Sequence, residues 1–161
     1  MYNPAGWLRR VPRSVRSSAV VLPVLIASGS CRAASTDREY AVTGIDYAFQ
    51  VPDTVRAGAT VVRFHNAGAV PHEMAMALLK PGITVPRVLE VLKAGGSPDS
   101  LIDGVVGILI AQPGSDPIGR LSVNFQAGRT YALFCNFQDS PDKPPHSALG
   151  MVRSLDIPAS D

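Results

Sequence analysis

The segment Gly128-Arg129-Thr130-Tyr131-Ala132-Leu133-Phe134-Cys135 is a turn glycine followed by a short apolar strand that ends on a cysteine. Side chains alternate between the two faces of a strand, so Cys135 shares a face with Tyr131 and Leu133. The segment His146-Ser147-Ala148-Leu149-Gly150-Met151 follows after ten residues. A thiol, an imidazole and a thioether therefore lie within one short part of the chain, next to an apolar strand.

Short apolar segments separated by Gly, Pro and Asn continue on both sides of this stretch, which is typical of strands joined by turns. One helix is predicted over residues 84–94, because apolar residues recur there at helical spacing and two glycines follow. A parallel α/β fold would need several crossover helices, so we predict an all-β sandwich of two sheets. The predicted strands are residues 40–50 (interrupted at Gly44), 60–66, 72–80, 105–111, 120–126, 129–137 and 150–157.

Two histidines of the predicted strands face in opposite directions. His72 shares the more apolar face of its strand with Met74 and Met76, so we expect it to point inward with a partner for its ring nitrogens. His65, one strand earlier, is predicted to lie on the surface. Met74 and Met76 are expected to be ordinary core residues.

The candidate donors together match the ligand set of one kind of metal site. Two imidazoles, one thiolate and a weak thioether are the ligands of a type 1 (blue) copper centre that transfers electrons. The set favours copper because imidazole and thiolate suit both of its oxidation states. The predicted metal ligands are His72, Cys135, His146 and Met151.

Three segments resemble the cupredoxins, the family of plastocyanin and azurin. Phe64 to His72 is similar to the family's strand, loop and Pro-His segment, Gly128 to Cys135 to its Gly-x-x-Tyr-x-x-x-Cys strand, and His146 to Met151 to the end of its ligand loop. The resemblance implies a Greek-key β-sandwich of about seven strands over residues 39–158, with one inserted helix. It also implies that His146 is the solvent-side ligand, with a redox protein docking near it.

The sequence departs from the family pattern in three places. Ten residues separate Cys135 from His146, more than in small blue copper proteins, so residues 139–145 must bulge outward as a solvated loop. Glu73 follows His72 where the family usually has Asn. Residues 80–119 form a large insertion between sandwich strands.

Other functions remain open from the residues alone. A cupredoxin-like copper carrier or assembly factor, or a module that binds no metal, would use the same fold. His72, Cys135 and His146 are also compatible with zinc and an open coordination position, and Cys135 with His146 is compatible with a nucleophilic pair. No general base or oxyanion arrangement accompanies them, so we expect a protein that is not an enzyme.

The N-terminal region is predicted to direct export. Arg-rich residues, a short apolar run and small residues follow one another over residues 1–33, which is the order in a secretory signal peptide. Cys31 lies where a lipoprotein cysteine would be, so an alternative is a lipoprotein leader that ends before it and anchors the protein to a membrane. We therefore expect a periplasmic or extracellular location, with Cys135 as a lone thiol.

The composition limits which other classes of protein and partner are possible. The chain has 161 residues, enough for one domain, and a formal net charge of +2. Residues 1–33 contain five arginines and no acidic residue, so the remainder is acidic, at about −3 by the same count. This balance argues against a nucleic-acid partner. We expect a monomer that contacts a membrane only if Cys31 is lipidated.

Overall fold

The computed structural model describes residues 38–160, so the predicted signal peptide and Cys31 lie outside the described residues. Eight strands form two four-stranded sheets, with one α-helix and one short 3-10 helix. The predicted all-β sandwich is confirmed. The elements are β1 Arg38–Ile45, β2 Ala48–Gln50, β3 Gly58–Asn66, β4 His72–Leu79, α1 Val85–Lys93, the 3-10 helix Pro98–Leu101, β5 Ile102–Ala111, β6 Leu121–Phe125, β7 Thr130–Phe134 and β8 Val152–Asp156.

The first sheet has the strand order β2-β1-β3-β6 and the second has the order β5-β4-β7-β8. Strands β1 and β3 are parallel, and the other neighbouring pairs are antiparallel. Because sequence neighbours are not always sheet neighbours, the chain crosses repeatedly between the sheets. Because β4 and β7 are antiparallel neighbours, the start of β4 and the end of β7 lie at the same end of the sandwich.

The core lies between the sheets and is filled by side chains from alternate strand positions. Val62 and Phe64 of β3 face Met74 and Met76 of β4 and Leu133 of β7, and all five are almost completely buried. Met74 and Met76 are thus core residues, as predicted. This packed layer gives the two strands that carry His72 and Cys135 a rigid support.

Helix α1 packs on the opposite side of the second sheet. Val85 and Val88 contact Leu79 and Ala132, which form a second apolar cluster. This contact explains why β7 is apolar on both faces, since Tyr131 and Leu133 face the main core while Ala132 lies under the helix. The helix that the sequence predicts at residues 84–94 is therefore confirmed at Val85–Lys93.

The stretch 80–119 contributes to the sandwich itself. Its second half contains β5, which pairs with β4 over almost the whole length of both strands. The domain boundaries at residues 39 and 158 and the limits of the insertion stay predictions. Among residues 38–160, no helix combines the length and apolar character needed to cross a membrane.

Candidate metal centre

The four predicted ligands come from two segments at one end of the sandwich, the start of β4 and the stretch between β7 and β8. His72 is the first residue of β4, Cys135 directly follows β7, and Met151 directly precedes β8. His146 lies in the loop between β7 and β8. All four are buried, with at most 1% of their surface exposed.

The side chains of His72, Cys135 and His146 converge on one point. The two histidine Nδ1 atoms are 3.1 Å apart, and Cys135 Sγ lies 3.9 Å from Nδ1 of His72 and 3.5 Å from Nδ1 of His146. A point equidistant from these three atoms is about 2 Å from each, which is close to the metal–nitrogen and metal–sulfur bond lengths of protein sites. The triangle is therefore the right size to hold a metal ion.

A carboxylate lies behind each imidazole. Nε2 of His72 is 2.8 Å from Asp46 Oδ1, and Nε2 of His146 is 3.0 Å from Asp139 Oδ1. No pattern in the sequence predicted that Asp46 lies at the site. Asp139 lies in an exposed loop, as predicted. Its side chain nevertheless turns back onto His146 and is 17% exposed, and this contact with the site was not predicted.

These carboxylates determine which ring nitrogens carry protons. Hydrogen bonds from the Ala69 backbone N–H and from His72 lower the pKa of Asp46, and hydrogen bonds from Tyr47 and His146 lower the pKa of Asp139. An ionised carboxylate only accepts hydrogen bonds, so we assign the proton of each neutral imidazole to Nε2.

That assignment leaves three electron-pair donors facing one another. Both Nδ1 lone pairs and the Cys135 sulfur meet in a buried space, where the sulfur also accepts a hydrogen bond from the Glu73 backbone N–H. Such a cluster is unfavourable unless a proton or a cation lies between the donors. The donor chemistry therefore fits a bound metal ion, and a thiolate with two imidazoles is the set that suits copper or zinc.

The thiol of Cys135 is held by the strand that carries His72. The Glu73 backbone N–H donates to Cys135 Sγ at 3.4 Å, and Glu73 Oε1 accepts a hydrogen bond from the Asn136 backbone N–H at 2.8 Å. Burial is the main cause that raises the pKa of the Cys135 thiol in the metal-free protein. Glu73 thus ties the two ligand-bearing segments together with a carboxylate at the position where the family usually has Asn.

Backbone hydrogen bonds shape the ligand loop. The backbone N–H of His146 donates to the Phe137 carbonyl at 2.8 Å, and that of Ser147 donates to the Cys135 carbonyl at 2.7 Å. These two bonds bring the ends of the loop together, and residues 138–145 form a turn between them. The long loop therefore still places His146 at the cluster. Gln138 closes this turn by donating from Nε2 to the Lys143 carbonyl at 2.6 Å.

The backbone of Met151 is hydrogen-bonded to the segments that carry two of the other predicted ligands. Its backbone N–H donates to the His146 carbonyl at 2.9 Å, and its carbonyl accepts from the Cys135 backbone N–H at 3.2 Å. Its side chain is fully buried in the same apolar cluster as Cys135. The structure therefore places the thioether residue next to the other predicted ligands.

Asn66 fixes the loop that leads to His72, and the sequence analysis missed it. Its Nδ2 donates to the carbonyls of Val70 (2.9 Å) and Ala111 (3.1 Å), and its Oδ1 accepts from the Gly68 backbone N–H at 2.9 Å. The residue is fully buried. A buried, fully paired amide of this kind holds a loop in one conformation.

His146 does not reach the solvent, contrary to what the resemblance implies. It is 1% exposed. Asp139 covers its Nε2, and the Tyr47 ring packs edge-on against the imidazole with centroids 4.8 Å apart. The long ligand loop is the physical reason, since it supplies Asp139. His65, by contrast, lies on the surface as predicted, paired with Asp116.

Several known proteins have structures similar to this one. Auracyanin B matches with a TM-score of 0.50 and 18% identity, over 74% of this chain and 88% of that one. The chain has the cupredoxin fold. Reduced auracyanin from Roseiflexus castenholzii matches with a TM-score of 0.45 and 22% identity, over 76% of this chain and 97% of that one. Reduced rusticyanin matches with a TM-score of 0.44 and 18% identity, over 76% of this chain and 81% of that one.

Sequence comparison alone finds no such relationship, since no protein-family model and no curated protein matches the chain. The likeness in structure establishes the cupredoxin fold. The case for a metal at this end of the fold rests on the chain's own donor atoms. The convergence of these donor atoms is the observation that indicates a metal site.

Proposed function

We propose that this chain is an exported copper protein that transfers single electrons through a type 1 site. In this proposal His72 and His146 would hold copper through Nδ1, Cys135 through its thiolate and Met151 through its thioether sulfur. Bound copper would supply a one-electron couple between its two common oxidation states. The protein supplies the geometry and the electrostatic environment.

One observation carries the proposal, namely the convergence of two Nδ1 atoms and one sulfur at 3.1 to 3.9 Å in a buried space. Both Nε2 atoms already have carboxylate partners, so the Nδ1 atoms are left for the metal. A His₂Cys set with an axial thioether is the type 1 copper set, whereas structural zinc takes four strong ligands. The donor types therefore favour copper.

The burial of the site favours electron transfer over catalysis. A substrate must reach an open coordination position, but all four ligands are at most 1% exposed. An electron needs no such opening. The hydrogen bonds that fix the ligand loop and the Asn66 loop also keep the ligands in place, and a rigid set of ligands suits both oxidation states.

We also propose that a redox protein docks at the metal-bearing end, near His146. His146 is covered, so the contact surface would consist of the residues around it. Leu149 is 46% exposed and Pro144 is exposed, which gives an apolar patch beside the site. The protein would act as a monomer after removal of residues 1–33, or as a lipoprotein anchored at Cys31. The mass of the secreted product distinguishes these two forms.

The test is the visible spectrum of the protein after addition of one equivalent of Cu(II). A type 1 site gives an intense blue colour that arises from the thiolate, so we expect colour in the unchanged protein and none in Cys135→Ser. A suitable control is Ser147→Ala, which changes a neighbouring buried hydroxyl and leaves all four donors. Full-length protein and the secreted form should behave alike.

Other outcomes would point to other functions. A colourless protein that retains one tight Cu(I) would support a copper carrier and contradict electron transfer. Tight zinc with hydrolytic turnover would support an enzyme. Failure to bind any metal would refute the proposal and leave a cupredoxin-like binding module.

A further inference from the structure

Two carboxylates back the two imidazoles of the site, and one of them comes from the unusually long ligand loop. Asp46 lies in the turn between β1 and β2 and bonds His72, while Asp139 lies between the cysteine and histidine ligands and bonds His146. The long loop therefore adds a negative charge to the site. A shorter loop would leave the Nε2 of His146 to solvent.

Both carboxylates are held in place from their other side. Asp46 accepts the Ala69 backbone N–H through both oxygens, at 3.1 Å and 2.9 Å. Asp139 Oδ2 accepts the Tyr47 hydroxyl at 2.7 Å, so its Oδ1 stays directed at His146. Each aspartate is thus held in place by one hydrogen-bond partner and also contacts an imidazole.

The charges around the ligands are mainly negative. Glu73, the third carboxylate, is 8% exposed and lies beside the thiol through its backbone N–H. Among residues 38–160, one lysine or arginine side chain forms an ion pair with these aspartates. It is Lys143, whose Nζ is 3.7 Å from Asp139 Oδ2. Its side chain is 57% exposed, so this ion pair is weak and offsets little of the charge.

Two effects of these carboxylates act in the same direction. A carboxylate that accepts the Nε2 proton makes the imidazole a stronger donor at Nδ1 and fixes its orientation. The negative charge also favours the state of the site with the higher positive charge. The imidazoles are buried, but 32% of the Asp46 side chain and 17% of the Asp139 side chain are exposed, so solvent screens part of this effect. Both effects stabilise the oxidised site relative to the reduced one.

We infer that Asp46 and Asp139 are positioning residues that hold both imidazoles with Nδ1 toward the metal and favour the oxidised site, so that neutralising either one raises the reduction potential. This inference rests on the proposed function, because it concerns the same ligands. It assigns the long loop between Cys135 and His146 a role in tuning the site.

The first test measures the reduction potential of the copper-loaded protein with Asp46→Asn and Asp139→Asn. Loss of an outer partner of a metal-binding histidine costs about 10- to 100-fold in metal affinity. If most of that loss falls on the oxidised state, each variant shifts the ratio of the two binding constants by at least about tenfold, or about 59 mV upward for one electron. The matched control is Asp116→Asn, which removes the same kind of carboxylate from the surface residue His65.

The second test uses the metal-free protein and does not depend on copper chemistry. Nitrogen-15 NMR of the imidazoles reports which ring nitrogen carries the proton. We expect Nε2–H at both His72 and His146 in the unchanged protein, and a loss of that preference at His146 in Asp139→Asn. The control Asp116→Asn should alter only the signals of His65.

The outcomes separate this inference from the proposed function. If the protein binds no copper or gives no blue colour, the proposed function fails whatever the NMR shows. If blue copper forms but the potential of either aspartate variant stays equal to that of Asp116→Asn, the inference is overturned and the proposed function stands. Nδ1–H imidazoles in the metal-free protein would also overturn it.

Discussion

Replacing Asn66 with Ala should destabilise the protein strongly, although Asn66 binds no metal. The change removes two bonds donated to the carbonyls of Val70 and Ala111 and one accepted from Gly68. Each such bond contributes about 0.5–1.5 kcal/mol, and Asn66 is fully buried, so water cannot replace its side chain without rearrangement. We expect the free energy of unfolding to fall by roughly 2–4 kcal/mol.

The assay is urea unfolding of the metal-free protein followed by circular dichroism, since bound metal would add its own stabilisation. Asn66→Asp should cost at least as much as Asn66→Ala, because a carboxylate oxygen would replace the donor that faces two carbonyls. Asn124→Ala, at an exposed position on β6, is the control and should change stability by less than about 0.5 kcal/mol. A loss below about 1 kcal/mol for Asn66→Ala would refute the reasoning.

Three further predictions concern the core and the site. Leu133→Ala should lower the free energy of unfolding by about 2–5 kcal/mol in the same assay, because Leu133 is fully buried between the sheets; Leu149→Ala, at an exposed position, should not. Gly68→Ala should weaken copper binding by about tenfold or more in a competition titration. An added Cβ would overlap Asp46 Oδ1 and lie 2.8 Å from His72 Nε2, so it would separate the aspartate from the histidine. Unchanged affinity would contradict the close approach of Gly68 to this hydrogen bond. Asp46→Asn should lower the free energy of unfolding, and the difference from the unchanged protein should be fully present above the ordinary carboxyl pKa of 3.8. The difference should shrink as the pH falls through the lowered pKa of Asp46 in the folded protein. Unfolding curves in which the difference grows toward low pH would contradict this prediction.

Strand periodicity predicted the fold and the side chains that share the core face. Met74 and Met76 alternate with small residues along β4, and the structure buries both completely. His65 alternates away from Phe64 and is exposed. On β3 the alternation from Val62 to Asn66 separates buried from exposed side chains, because one face of the strand packs on the core and the other faces solvent. Strand β4 is covered on both faces, so nearly all of its residues are buried.

The strand β5, Ile102–Ala111, was harder to predict in full. Its first residues include Asp103 and Gly104, which are typical of turns, and only 105–111 was expected to be a strand. It is the edge strand of its sheet among the described residues, and three large apolar residues on it are exposed. Pairing with β4 fixes this strand, and pairing partners are not visible in local sequence.

The four candidate ligands were visible in the sequence, but their partners were not. Asp46 is 26 residues from His72 and follows a glycine-containing strand, so nothing local connects the two. Asp139 lies among Ser, Pro and Lys, a composition typical of solvated loops. The unusual length of the loop was the only signal that its residues have a role of their own.

The central claim is that His72, Cys135 and His146 form one metal-binding triangle. X-ray absorption at the copper edge of the Cu(II)-loaded protein tests it most directly, because it gives the type and distance of the nearest ligand atoms. The distances in the structure predict one sulfur and two imidazole nitrogens at about 2 Å. A first shell of oxygen and nitrogen atoms without a sulfur would contradict the account.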